Sequence, residues 1–522
     1  MPKLRVLPTA CAGIGATLLL AACAGGSSGA SGLSGVGGTA SSSATVPSVL
    51  KIGINDKINS LDNQLAISTA EQNVAHLTGG NLYTFDPDAS PSLQPGLAAS
   101  HTTSANGLVW TFTLRSGAKF SDGTPVTAAD VAASLERALT DKAGTAGTQL
   151  GTGTTITTSG TSKVIVTLKS PISGLLAVLS DPQFAVFPKT GLAHATSFFQ
   201  KPVSAGMYEV QSVNGNTADL AVNPYYWGPK PKVKTIQFLT ISDSNTLVSE
   251  LETGQINFAY DVPPSALPVL KSQGSITTNI VPLYGEDIIT IHNADPLLKD
   301  AKIRQAMSLA LDRSAIVNAI YPDQSTIKPQ VGYWPQTMPG YDASASAVPQ
   351  VSAAKKLLAG TGCAAGCKVA LVYSPSFFPF ASQLVLLIKQ QLAVIGINVE
   401  LEPQDYTTWA GNIFKGDYQL SLAAGLIFTN DSALLAQQQL TPSGGLNSDF
   451  SGFNSTAVNA AVERLTGQGQ STTTLQNVAD LFTQNQPWIP MMSYARISAT
   501  NLPASVIEEQ SNGFLKIGAD GA

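Results

Sequence analysis

The chain has 522 residues, too many for one ordinary domain and enough to bury a large core. Its hydrophobic fraction of 43% fits a globular protein and excludes a disordered one, while a charged fraction of 12% leaves Ser, Thr, Asn and Gln to cover much of the surface. A net charge of −5 supplies no basic field, which argues against a nucleic-acid partner.

The N-terminus carries an address. Lys3 and Arg5 precede a mostly apolar run from Leu7 to Leu20, too short for a comfortable membrane span and of the length of an export signal. Leu20-Ala21-Ala22-Cys23 resembles the lipobox of bacterial lipoproteins, in which the cysteine is diacylated and becomes the mature N-terminus. The resemblance implies a signal peptide over 1–22 and lipidation (palmitate) at Cys23. Burial of acyl chains at about 0.8 kcal/mol per methylene would then hold the protein on the outer face of a bacterial membrane, in the periplasmic or cell-wall space. The alternative is an ordinary signal peptide whose A-x-A-like cleavage site precedes a cysteine. Residues 23–46 are mainly Gly, Ser, Ala and Thr and read as a flexible tether. No later segment reaches spanning length without interruption.

Leu50 to Ile54 begins the first strand. From Gly107 the string GLVWTFTLRSGAKFSDGTPVTAADVAASLERAL gives three elements in succession. Trp110, Phe112 and Leu114 alternate with threonines as a half-buried strand does, and Asp122-Gly123-Thr124-Pro125 is turn chemistry. Thr127 and Asp130 then form a T-x-x-D capping box, followed by Val131, Leu135, Ala138 and Leu139 at helical spacing. Lys163 to Leu168 reads as a strand, Thr246 to Glu252 as a short helix ending at Gly254, and Ile256 to Tyr260 as a strand. Ile303, Met307, Ala310 and Leu311 make one apolar helical face, and Asp312 can cap the next helix. Cys363 and Cys367 bracket a short loop; in an exported chain a disulfide is expected, worth about 2 kcal/mol for so small a loop, since a metal site would need further ligands and no His lies near. Ala381 to Ile395 reads as a helix stopped by Gly396, after which Ile397, Val399 and Leu401 alternate with polar residues. No internal repeat of 20–50 residues is visible.

The string L-x-W-x-F-x-L-R-x-G-x-K-F-x-D-G-x-P-V-T-A-x-D-V, in its relaxed form, closely resembles the signature of the extracytoplasmic solute-binding proteins of peptide- and nickel-type ABC importers (family 5). Further segments are similar to that family's pattern. Asn59-Ser60-Leu61-Asp62 resembles its S-L-D-P corner, with Asn63 replacing the proline, and Pro95-Gly96-Leu97-Ala98 fits P-x-L-A. Met207-Tyr208 and Asn223-Pro224-Tyr225-Tyr226-Trp227-Gly228 match G-P-Y … N-P-x-Y-W-G; the latter reads as a fold-determining turn with aromatic packing. Ile303-Arg304-Gln305-Ala306 … Leu311-Asp312-Arg313 matches V-R-Q-A … I-D-R. The resemblance runs from about residue 50 to 495. It implies an α/β, periplasmic-binding-protein-like two-lobed clamshell (type II, cluster C) with an extra third subdomain. Lobe I would take 47–79, 201–283 and 487–522, lobe II 80–200, and lobe III 284–486.

An enzyme is not expected. The sequence has no H-E-x-x-H and no phosphate-cradling G-x-x-x-x-G-K-[ST]. Its one G-x-S-x-G-type match, Gly25 to Gly29, lies in the tether, and His76, His101, His194 and His292 are scattered. Asp86 and Asp88 sit in a Pro-rich turn and look solvated. No cofactor is implied. What the resemblance implies is recognition: a monomer that traps a peptide or other small solute between lobes and passes it to ABC permease and ATPase subunits, touching the membrane only through its anchor. Rival readings are the same fold binding an amphiphile, glycoside or metal chelate, a secreted lipoprotein hydrolase, and a sensory or wall-associated adaptor.

The implied ligand site centres on residues 405–431. Trp409 matches a tryptophan that begins a helix in dipeptide and oligopeptide binders. Those proteins then carry G-W-x-x-D, whose acid holds the peptide ammonium. Here Gly425 matches, but Leu426 replaces the tryptophan and Thr429 the acid. A buried ammonium without a carboxylate is costly, so either another acid substitutes or the ligand lacks a free amine. Asp431 and Glu286 are the two candidate substitutes, Asp431 being equally readable as a turn residue and Glu286 as a hinge acid. Tyr284 and Asn293 fall near the expected interlobe strand, and Tyr333 and Trp334 could stack on a ligand or cover core.

Overall fold

A computed structural model describes residues 46–522 except 67, 91, 141–145, 152, 173, 323–325, 427, 443, 445–450 and 521–522. The expected signal peptide, the lipidation at Cys23 and nearly all of the tether lie outside the described residues.

A ten-stranded mixed sheet forms the backbone of the molecule. At its centre lies Val49–Ile54, with Leu50, Ile52 and Ile54 fully buried and parallel partners on both sides, Thr235–Thr240 and Phe258–Ala259. An apolar strand flanked in this way needs both faces covered, which is why its sequence is nearly continuous in hydrophobic residues. Gly53 is required here by packing: a Cβ would stand 2.6 Å from side-chain carbons of both Ile256 and Leu247. The expected strand over 256–260 shrinks to Phe258–Ala259, because only those two residues pair on both sides.

Two long antiparallel strands, Thr277–Ile291 and Trp488–Thr500, run through the middle of this sheet. Their outer partners change along their length. The 277–282 half pairs with 495–500, whereas the 285–291 half also pairs with Leu420–Leu426. A register shift separates the halves between Pro282 and Glu286. Irregularities of this sort bend a strand and raise its twist.

A separate four-stranded antiparallel sheet, in the order 98–103, 109–114, 163–167, 155–159, carries the family-like signature. Phe112 and Leu114 are buried as the alternation predicts, while Trp110 is half-buried, stacked on His101 with its Nε1 donating to the Gly107 carbonyl. In the turn, Thr124 donates its N–H and its hydroxyl to Asp122 Oδ1, and Gly123 takes φ 84°. The capping box is half formed: Asp130 accepts the Thr127 N–H at 2.9 Å, but the Thr127 hydroxyl donates to the same carboxylate instead of capping the helix. The Ala128–Thr140 helix follows. Trp227 packs at the edge of this subdomain's core under the Arg115 guanidinium, 4.0 Å from its ring, so the N-P-Y-Y-W segment is structural.

Both arginines of the I-R-Q-A … L-D-R segment are buried struts. Arg304 donates to the Gln486 and Leu298 carbonyls, and Arg313 to those of Pro490 and Ser308, fixing the Ala301–Ala310 and Arg313–Ile320 helices to the start of the 488–500 strand. Asp312 caps the second helix through the Ala315 N–H. Cys363 and Cys367 are joined by a disulfide with Cα atoms 4.8 Å apart. Among the described residues, no helix is long and apolar enough to cross a membrane.

Candidate ligand-binding cleft

A cavity of about 290 Å³ opens where five stretches of chain converge: 66–72, 149–183, Leu283, 377–438 and 494–513. Its walls are mostly apolar, the composition expected of a small-molecule site. Phe377, Tyr406 and Trp409 form an aromatic wall, with ring centroids 4.5 Å apart for Phe377 and Trp409 and 5.7 Å for Tyr406 and Trp409. This wall rests on the Tyr406–Lys415 helix, which Asp405 caps through the Thr408 N–H. Trp409 is 6% exposed, and its Nε1 donates to Ser421 Oγ at 2.9 Å, locking the indole to the neighbouring strand.

Among the described lining residues only Asp181 and Arg496 are charged. Arg496 is a single cation in a strand that is otherwise apolar or hydroxylic. Its Nη1 donates to Glu509 Oε1 at 2.9 Å and to the Tyr260 hydroxyl, and its guanidinium lies 4.6 Å from the Tyr260 ring. Tyr260, Tyr494, Glu509 and Asp261 together outweigh burial and keep it protonated. Asp181 caps the 182–184 turn: Oδ1 accepts the Gln183 N–H at 2.9 Å, and Asn81 Nδ2 holds its backbone carbonyl at 2.7 Å. Burial pushes its carboxyl up to about 6.

Contacts also cross the cleft. Gln438 Nε2 donates to Gln149 Oε1 at 3.3 Å, and Leu434 packs into the core of the four-stranded subdomain. Phe428 lies 4.9 Å from Phe514, which stacks on His76 at 4.6 Å. Burial lowers the His76 imidazole to about 4, so it is neutral in this stack.

Of the residues expected at the ligand, Trp409 and Thr429 line the cavity. Thr429 is 3% exposed, and its hydroxyl has no partner among the described residues. The others lie elsewhere. Gly425 faces Gln439, where a Cβ would come within 2.7 Å of Nε2. Asp431 caps the Ser432–Leu440 helix through the Ala433 and Leu434 N–H groups and accepts from Gln470 Nε2. Glu286 is 1% exposed in the core and accepts from Trp488 Nε1 at 3.1 Å; burial raises its carboxyl well above the usual range. Tyr284 is buried edge-on to Phe85, although its neighbour Leu283 lines the cavity. Asn293 is spent on the Ile291, Ser451 and Pro487 carbonyls. Tyr333 and Trp334 are core, packed with Phe482 and Trp488, and the Trp334 Nε1 donates to the Leu475 carbonyl.

Asp181 and Arg496 were not singled out from sequence. Asp181 reads as an ordinary Asp-Pro turn. Arg496 left a signal, one charge inside the long apolar run Ile489–Ala499, which marks a buried cation with a paired acid.

A mixed α/β frame, two long strands running through its sheet and a largely apolar, aromatic cavity with one acid and one base define a protein that binds a small molecule. The model of the bacterial extracellular solute-binding proteins, family 5, matches residues 92–447, more than half of the chain, and the chain belongs to that family. It is 27% identical over 484 residues to the glutathione-binding protein GsiB of Escherichia coli O1:K1 / APEC, covering 88% of this chain and 91% of that one. Among solved structures it is similar to AgaA from A. tumefacien R10 in complex with agropinic acid, with a TM-score of 0.78 and 25% identity over 90% of this chain and 98% of the other. DppA from Helicobacter pylori in complex with the peptide STSA superposes with the same TM-score at 19% identity, covering 90% of this chain and 96% of that one, and so shares the fold.

Proposed function

We propose that this chain captures a short peptide or peptide-like solute in the 290 Å³ cavity and delivers it, chemically unchanged, to an ABC importer. The observation that carries this reading is the lining itself: aromatic and aliphatic walls give sequence-tolerant burial, while one carboxylate and one guanidinium supply fixed polar points. A relative named for glutathione binding is consistent with a small peptide-like guest.

The lobes are assigned to 47–79 with 201–283 and 487–522, to 80–200, and to 284–486. The register shift between Pro282 and Glu286 supports a hinge there, where two strands common to both halves bend. The chain acts as a monomer tethered by lipid on Cys23 outside the cytoplasmic membrane. A solute drives closure only by binding the closed form better than the open one, and the Gln438–Gln149 and Leu434 contacts are of the kind that closed form would add. Native mass spectrometry of protein purified from its own cells tests the reading. A co-purifying peptide series supports it; a single lipid or glycoside overturns the peptide assignment.

A further inference from the structure

Resting on the reading of this cleft as a peptide site, we propose that Asp181 is the anchor for the ligand's ammonium group, supplied by the 80–200 subdomain in place of the acid absent at Thr429. A cationic amine entering a mostly apolar cavity needs an anionic partner, because an unpaired buried charge is expensive. The described lining residues include one carboxylate, that of Asp181. Its side chain is more than nine-tenths buried, with the residue 7% exposed. One oxygen, Oδ1, is used by the Gln183 N–H. Its other oxygen, Oδ2, has no hydrogen-bond partner among the described residues, and Asp181 is one of the residues that line the cavity.

Three competing acids are placed elsewhere. Asp431 is consumed by its helix cap and Gln470, Glu286 lies in the core under Trp488, and Glu509 is paired with Arg496. Two further carboxylates, those of Asp56 and Glu71, act on the aromatic wall from behind it. The Tyr406 phenol in the cavity wall is held to about 12, chiefly by burial but also by the carboxylates of Asp56 and Glu71. Aromatic rings in that wall add attraction for an ammonium. The predicted guest therefore carries a free primary amine at the end facing Asp181.

The experiment uses the mature chain, tripeptides with varied side chains and their N-acetylated counterparts, read by competition native mass spectrometry and by calorimetry on the best member. Wild type should prefer the free-amine form by about tenfold or more. Asp181→Asn keeps the cap, since an Asn oxygen can accept the Gln183 N–H, and should abolish that preference while the variant still melts as a folded protein. Asp181→Ser, which also caps, is the second variant should Asn fold poorly. Persistence of the free-amine preference in either folded variant overturns the anchor and leaves the peptide reading standing. Failure of wild type to bind any member of either set overturns both.

Discussion

The cleft's two charged residues make opposite demands on the fold. Arg496 and Glu509 are both buried, and the Arg496 guanidinium pairs with one oxygen of Glu509, Oε1. Arg496→Leu should therefore destabilise the protein by about 3–5 kcal/mol, because Glu509 is left unpaired, and Arg496→Leu combined with Glu509→Leu should recover most of that loss in urea unfolding. Asp181 behaves differently. Burial, with no charged neighbour contributing, raises its carboxyl from 3.8 to about 6. The folded state thus binds this proton more tightly than the unfolded chain, so the stability linked to it is present at low pH and falls as pH rises from about 4 to 6. Compared with Asp181→Asn, wild type should lose on the order of 2–3 kcal/mol of relative stability between pH 4 and pH 7 in paired denaturation curves. An ammonium guest reverses the preference and favours the ionised carboxylate. Affinity for a free-amine peptide should accordingly weaken below pH 6 in calorimetry.

At the scale of elements, the Ser432–Leu440 helix separates a cap from a ligand contact. Asp431→Ala removes two N-cap hydrogen bonds and should cost about 1 kcal/mol, up to about 2, in thermal or urea unfolding. It should leave any preference for free-amine peptides intact, since Asp431 does not line the cavity. The disulfide loop is a second self-contained element. Gly366 inside it has φ 92°, a conformation that disfavours a Cβ. Gly366→Ala should lower stability by about 1 kcal/mol without altering binding, as a melt and a titration on the same sample would show.

At the scale of the whole molecule, the proposed closure predicts that binding is coupled to the meeting of the 80–200 and 284–486 stretches. Leu434 belongs to the 284–486 stretch but is buried at 4% exposure in the core of the four-stranded subdomain. Leu434→Ala should weaken the closed form by about 2–5 kcal/mol while leaving each subdomain folded. The expected outcome is a larger radius of gyration without ligand, restored by saturating ligand, and a weaker apparent affinity. Identical scattering envelopes for wild type and variant, with and without ligand, would remove the clamshell motion from the account.

Local periodicity made much of the frame readable in advance. The 109–114 strand, the Asp122–Pro125 turn, the 381–393 helix and the Asp312 cap depend on neighbours within a few residues, and each formed where the pattern placed it. The motifs that located the family are of the same kind, being turns, caps and buried struts such as Arg304 and Arg313. The site was another matter. Tyr333 and Trp334 stand in a Pro/Gly-rich loop that reads equally as ligand contact or core cover, and the fold packs both into one core, with Phe482 and Trp488 against Tyr333. Asn293 and Glu286 look free in the sequence, yet the Asn293 amide donates to the Pro487 carbonyl and Glu286 accepts from Trp488, both distant in the chain. Asp181 and Arg496 reach one cavity from segments far apart in the chain. Sequence determined the elements and the lineage, because hydrogen bonding and amphipathic periodicity act over short spans. Which side chains face the guest was decided only by the tertiary structure, because burial and charge pairing are set by segments that the chain brings together after long excursions.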